Sequence, residues 1–271
     1  MSNTATNGFN WHKVVVTGNV IHAYQSGARF RAGHKTKMSL NSIILTNEEV
    51  EEKKRENQAK SCRRAKQTLI DLYNTNFHVG DIFLTLTFKD NVSDRQIALY
   101  EFKKFIQRLR YRLGDFDYIA VPELQKRGAY HFHLVFSPKR KLDVNEVKEI
   151  WGNGNIDMRW IKPNPDDVQL RSINSDNVGV YIAEYISKDF NWKPEGSKAY
   201  LCSKGLQRPE VLRGKDAKKI IDVLEKELKP VCQNSYETPQ GMVIYVTQYN
   251  LKRPEGGFNY QQQKDKQSGV G

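Results

Sequence analysis

The order of elements along the chain predicts an α+β sandwich, a largely antiparallel sheet with helices packed on it. Three observations predict it. Alternating or β-branched runs mark strands at Ile82–Phe88, Tyr118–Glu123, His131–Phe136 and Gly154–Ile161. Segments of helical spacing separate them, so that the order is strand, helix, strand, strand, helix, strand, helix. The hairpin then falls between crossover helices, an arrangement that suits an antiparallel sheet covered by helices.

Each element has its own signal. Val14 to Phe30 reads as short strands and turns and ends in the basic run RFRAGHKTK. Thr46-Asn47-Glu48-Glu49 opens a long helix, with Thr or Asn as the cap and Glu in the first turn. Lys60, Arg63, Arg64 and Lys66 make its later half a basic face, either solvated or lying along a DNA backbone. IFLTLTF puts Leu84, Leu86 and Phe88 on one side and Phe83, Thr85 and Thr87 on the other. Asp94 caps a helix whose Phe102, Phe105, Ile106, Leu109 and Leu113 form one apolar stripe. LQKRGAY connects the hairpin strands, a helix runs from about Val144 to Trp151, and a further helix from about Asp176 to Lys188. Past Asn191 the pattern weakens to a basic connector, a helix near Asp216 to Leu228 and a strand in GMVIYVTQY. The expected organisation is an N-terminal extension at 1–46, a catalytic domain at 47–195, an accessory region at 196–256 and a polar, Gly-rich tail at 257–271.

Charge and cysteine content bound the function. Across 271 residues, 43 Lys and Arg face 31 Asp and Glu, for a net charge of +12 and a pI near 9.4. Such a balance fits a partner rich in phosphate, with a ribosomal type of protein or a merely solvated basic surface as the other readings. Cys62, Cys202 and Cys232 are odd in number and widely spaced, with no CxxC pair, which argues for a reducing compartment. The segment MSNTATNGFNWHKVVV has no charged region followed by an apolar one, and no stretch approaches the roughly 18 apolar residues of a membrane span. The expectation is a cytoplasmic protein with no membrane partner.

In a strand, residues two apart share a face, so His131 and His133 project one way while Phe132 and Leu134 enter the core. Imidazoles so placed either face solvent idly or form two thirds of a metal site. Simple antiparallel register across the connector sets Glu123 opposite His131 and Val121 opposite His133, with Glu123 on the histidine face. Two neutral nitrogens and one carboxylate suit a divalent cation such as Mn²⁺, whereas Mg²⁺, which prefers oxygen, would keep several waters. The other reading of Glu123 is a strand end beside Pro122 that faces water.

VGVYIAEYISKDF adds a second constellation. At about 100° per residue, Tyr181, Tyr185 and Lys188 fall on one helix face, while Ile182 and Ile186 form an adjoining apolar stripe. Paired tyrosines are commonly core residues with wet hydroxyls. A phenol can also be a nucleophile, provided that a lysine supplies positive charge near the phenolate and a metal polarises the phosphoryl oxygen under attack. Together, His-x-His with a carboxylate, Tyr-x-x-Lys and a basic surface describe phosphodiester transesterification.

FLTLTF, PELQKRGAYHFHLVF and YIAEYISK resemble, in this order, the three motifs of the HUH endonuclease superfamily, specifically the rolling-circle replication initiator (Rep) proteins of plasmids and single-stranded DNA phages. The resemblance covers about Ile82 to Phe190, and WGNGNIDMRWI is also similar to that family's layout. It implies the HUH fold, a central, largely antiparallel five-stranded sheet with flanking helices, ferredoxin-like or RRM-like. It further implies His131, His133 and Glu123 as ligands of a divalent metal, Mg²⁺ or Mn²⁺, and Tyr185 as the nucleophile with Lys188 beside it. Tyr181 matches the first tyrosine of the two-tyrosine class. The chain departs from the fullest pattern at Glu184, where a lysine would serve Tyr181, so Tyr185 ranks first and Tyr181 second. Thr85 and Thr87 would line the DNA site, or simply fill a sheet face.

The implied activity is site- and strand-specific nicking and rejoining of single-stranded or hairpin origin DNA in a bacterial host cell. It leaves a 5′-phosphotyrosine link and a 3′-hydroxyl that primes the host polymerase. No GxxxxGK[ST] sequence occurs, so unwinding falls to a host helicase. A transposase, a relaxase and a non-catalytic DNA-binding regulator stay open as alternatives, as do the origin sequence, the oligomeric state and the type of replicon.

Overall fold

A computed structural model of the chain describes residues 9–30, 47–162, 178–190, 197–238 and 242–252, without the side chains of 9–10, 27–30 and 187–190. The rest of the basic run after Phe30, the Thr46 cap, Asp176 and the tail at 257–271 lie outside the described residues. The architecture is α+β, with two five-stranded sheets in which every pairing is antiparallel. The chain divides into two compact units, Leu45–Arg208, and Met1–Ile44 with Pro209–Gly271.

The larger unit begins with helix α1 (Asn47–Asn76) and continues as β3 (Ile82–Phe88), α2 (Arg95–Leu113), β4 (Tyr118–Leu124), β5 (Tyr130–Phe136), α3 (Val144–Trp151), β6 (Gly154–Trp160), α4 (Val178–Phe190) and the two-residue β7 (Leu201–Cys202); β1 and β2 precede α1 in the other unit. The strands run β6-β3-β5-β4-β7 across the sheet. Local chemistry sets the boundaries. Asp94 accepts from the backbone N–H of Gln96 at 2.6 Å and of Ile97 at 3.2 Å, which closes the first turn of α2. Asp143 caps α3 in the same way, and Gly152 ends that helix in the left-handed region at φ 67°.

The sheet separates two cores. On one face Leu84, Leu86, Phe132, Leu134 and Phe136 meet Phe102, Phe105 and Leu109 of α2 and Trp151 of α3. Phe132 is fully buried and stacks on Phe102 with centroids 4.5 Å apart. On the other face Phe83, Val135, Ile119 and Val121 are covered by Leu69, Leu72 and Tyr73 of α1 and by Val178, Ile182 and Ile186 of α4. The two helices approach closely because position 179 is glycine: a Cβ there would lie 2.7 Å from Cδ1 of the buried Tyr73.

In the smaller unit, β1 (Phe9–Thr17) and β2 (Val20–Phe30) form a hairpin whose two-residue loop has Gly18 at φ 59°. They join β8 (Glu210–Arg213), β9 (Cys232–Glu237) and β10 (Val243–Asn250) in the order β8-β1-β2-β10-β9. Helix α5 (Gly214–Glu227) packs Ala217, Ile221 and Leu224 on Val14, Ile21, Ala23 and Tyr249. Residues on both flanks of the larger unit, within the stretches 1–46 and 196–256, thus contribute strands to one sheet.

Two substitutions test this packing by their shift of the urea unfolding midpoint. Phe132→Ala should cost about 3 to 5 kcal/mol, because a fully buried ring leaves a cavity. Gly179→Ala should cost about 1 to 2 kcal/mol, because the Tyr73 ring has no room to yield; a stabilising Gly179→Ala would show that α1 and α4 do not pack this closely.

Candidate functional site

The strand register assembles the site. Thr85 pairs with His133 and Thr87 with His131 across β3 and β5. Glu123 pairs with His131 and Val121 with His133 across β4 and β5, the register expected from the connector length. On the other side of β3, Asn155, Asp157 and Arg159 of β6 stand opposite Thr87, Thr85 and Phe83. With the period of two, all these residues share the face that carries α1 and α4. That face is apolar where Phe83, Val135, Ile119 and Val121 lie under the helices, and polar from Thr85 to Glu123.

Both histidines are buried, so neither is an idle imidazole on a solvent face. His133 Nε2 and Glu123 Oε2 are 2.7 Å apart, and Thr85 Oγ1 lies 3.3 Å from His133 Nδ1. A neutral imidazole satisfies both contacts by donating Nε2–H to the carboxylate and accepting the threonine hydroxyl at Nδ1. The carboxylate therefore reaches diagonally to His133 although its backbone partner is His131. His131 Nδ1 accepts from Gln125 Nε2 at 3.0 Å, with Thr87 Oγ1 at 3.5 Å, and Arg127 Nη2 lies 3.5 Å from Nε2. Burial first, then the neighbouring His133 and Arg127, lowers the His131 pKa to about 4, which keeps this imidazole neutral near pH 7.

Helix α4 brings the tyrosines over these groups. The Tyr185 ring stacks on His133 with centroids 3.5 Å apart and planes 15° from parallel. Its hydroxyl donates to Tyr181 Oη at 2.6 Å, and the Tyr181 ring stands edge-on to Phe83 at 5.5 Å. Tyr181 is 40% exposed, so the phenol pair opens to solvent on its outer side. The Tyr185 phenol is pushed well above its usual range by burial, by the hydrogen bond to Tyr181 and by the carboxylates of Glu123 and Glu184. Cation charge is what would offset this. Arg159, ion-paired with Asp157, interacts electrostatically with both phenols. The side chain of Lys188 lies outside the described residues.

Donor type, burial and the neutral charge of His131 suit a divalent cation held by His131, His133 and Glu123. Among the described residues no three such side chains converge on one point; His133 and Glu123 meet, while His131 is turned to Gln125 and Arg127. The structure thus brings together Glu123, His133, Tyr185 and Tyr181, with Thr85 and Thr87 behind the imidazoles. Gln125, Arg127, Asp157 and Arg159 are neighbours that the sequence reading leaves out. Arg159 was accessible in principle, since β6 pairs with β3 and alternates like it; the diagonal reach of Glu123 and the folding back of Gln125 and Arg127 are side-chain choices that no spacing encodes.

Residues 81–190, from the entry of β3 to the end of α4, match the family model of the replication-associated protein ORF2. Over 152 residues the chain is 32% identical to the phasyl DNA replicon protein arp of Escherichia coli, a match that covers 49% of this chain and 50% of that protein. The chain thus spans about half the length of this curated relative. No solved structure matches it.

Proposed function

We propose that the protein initiates replication of a replicon by nicking its origin through a tyrosine, as an HUH endonuclease of the rolling-circle type. One observation carries the reading: a phenol, Tyr185, lies directly on an imidazole, His133, that is bonded to a buried carboxylate, Glu123. The segment that builds this contact is also the one that matches the replication-associated family. Phenol, imidazoles and carboxylate on one strongly basic chain suit transfer of a DNA phosphodiester better than hydrolysis of a small ester.

In the proposed step Tyr185 Oη attacks the scissile phosphorus. The P–O3′ bond breaks, the 3′-oxygen leaves and takes up a proton, and a 5′-phosphotyrosine ester remains. The phenol proton passes to Tyr181 Oη, with which Tyr185 is already hydrogen-bonded, and on to solvent. Arg159 offsets negative charge at the phenols and at the phosphate, and Lys188, one turn beyond Tyr185, would add to it. Thr85 and Thr87 fix the imidazole rings, and the exposed polar part of the face receives the strand. His131, His133 and Glu123 would hold a divalent metal, Mg²⁺ or Mn²⁺, which when bound polarises the phosphoryl oxygen. The phosphotyrosine conserves the energy of the cleaved bond, so a later 3′-hydroxyl rejoins the strand by the reverse step. The freed hydroxyl primes a host polymerase, and a host helicase opens the duplex.

Three outcomes are expected with a labelled single-stranded oligonucleotide carrying the nick site. Tyr185→Phe should abolish cleavage and the covalent protein–DNA adduct seen on a denaturing gel; an adduct surviving in the Tyr181→Phe, Tyr185→Phe double variant would sink the nucleophile assignment and favour a DNA-binding regulator. Excess chelator should stop cleavage, and Glu123→Gln should weaken Mn²⁺ binding by about 10- to 100-fold in a paramagnetic-resonance titration; cleavage undiminished in chelator would remove the metal from the reading. Arg159→Gln should lower the single-turnover rate by about 10²-fold while oligonucleotide affinity changes little, and an unaltered rate would exclude Arg159 from the chemistry.

A further inference from the structure

Along the β7 edge of the larger unit lies a cavity of about 530 Å³, walled by Arg64 and Ser61 of α1, by Lys198 and Tyr200 ahead of β7, and by Arg208. The volume is within the range of small-ligand sites. Three cations converge on it from segments far apart in sequence. Arg64, Lys198 and Arg208 form no ion pair among the described residues.

The walls are held in place by polar contacts that have no other evident purpose. The Asn76 side chain both donates to Gln207 O at 3.0 Å and accepts from Gln207 N at 2.8 Å, which ties the segment bearing Arg208 to α1. Arg95, nearly buried, donates from Nη2 to Lys198 O at 3.2 Å and ties the second wall to α2. Arg208 bonds to the Tyr200 hydroxyl, which sets a guanidinium beside an aromatic ring. Outside the cavity Arg63 and Lys66 continue the basic surface of α1.

Fixed guanidiniums beside a tyrosine ring suit one nucleotide, with its phosphate on the cations and its base against the ring. The cavity is at the β7 edge, two strands from the histidine strand β5 and at the far side from β6, so it lies about 10 Å from the phosphodiester site at strand spacing. We infer that this cavity binds a nucleotide of the DNA strand a few positions away from the bond that is cut, and so sets which phosphate reaches Tyr185. This inference rests on the reading of DNA as the substrate.

The test uses the full chain carrying Tyr181→Phe and Tyr185→Phe, so that the DNA stays intact, with a fluorescent single-stranded oligonucleotide titrated at several salt concentrations. Adding Arg64→Gln and Arg208→Gln should weaken binding by about tenfold and lower the slope of log Kd against log salt by about 1. Tyr200 should crosslink to an oligonucleotide bearing photoreactive bases, and thymidine monophosphate should compete only weakly. Unchanged affinity and slope, with no crosslink at Tyr200, would overturn the cavity as a strand site while leaving the tyrosine chemistry untouched. Thymidine monophosphate competing as well as the oligonucleotide would overturn it in favour of a free-nucleotide pocket. If the unsubstituted chain prefers the oligonucleotide no more than heparin, the DNA reading and this inference fail together.

Discussion

The stacking of Phe132 on Phe102 is the contact on which the rest of the larger unit depends. A strand offers its residues alternately to two faces, so burying Phe132 commits His131 and His133 to the other one. Antiparallel pairing then carries that commitment sideways, to Thr85 and Thr87 on β3, to Glu123 on β4 and to Asp157 and Arg159 on β6. Stability and chemistry are thus written in the same period of two. The polar groups gain a fixed position without any bond made for that purpose, and a slip by one residue would bury the imidazoles and expose the phenylalanine.

Helices cover only half of that face. Val178, Ile182 and Ile186 seal α4 onto the apolar half, and the same helix carries Tyr181 and Tyr185 to the border of the polar half. There the charges oppose ionisation of the phenol. Glu123 and Glu184 and the low dielectric of the cleft all favour the protonated form, and Arg159 works against them while shared with Asp157. At rest the nucleophile is therefore held back, and the positive charge that frees it must arrive or be released together with the phosphate. A site of this kind discriminates against water-borne side reactions, since a phenol that stays neutral until its substrate is seated does little beforehand.

Much of this was legible from residue order. The periods of two and 3.6 are strong in the segment from Ile82 to Phe190, and the caps at Asp94 and Asp143 mark helix starts by ordinary backbone chemistry. The hairpin register followed from connector length alone, which put Glu123 on the histidine face. The strand pairing of the flanks was hidden, because β1 and β8 are separated by the whole larger unit and local patterning holds no information on pairing at such distance. Side-chain choices were hidden for a different reason: whether Glu123 turns to His131 or to His133 is decided by burial and by competition from Gln125 and Arg127.

That long-range pairing has a consequence for how the molecule comes into being. A ribosome releases β1 and β2 first, then all of Leu45–Arg208, and only afterwards β8, α5, β9 and β10. The hairpin must wait with both edges unpaired and its apolar side uncovered while the intervening unit completes its own contacts, and closing so large a loop costs entropy before pairing returns any stability. The part that holds the tyrosines is thus mature before the part that encloses it in sequence, and synthesis interrupted near residue 208 would leave the former whole and the latter exposed to aggregation along the edges of β1 and β2.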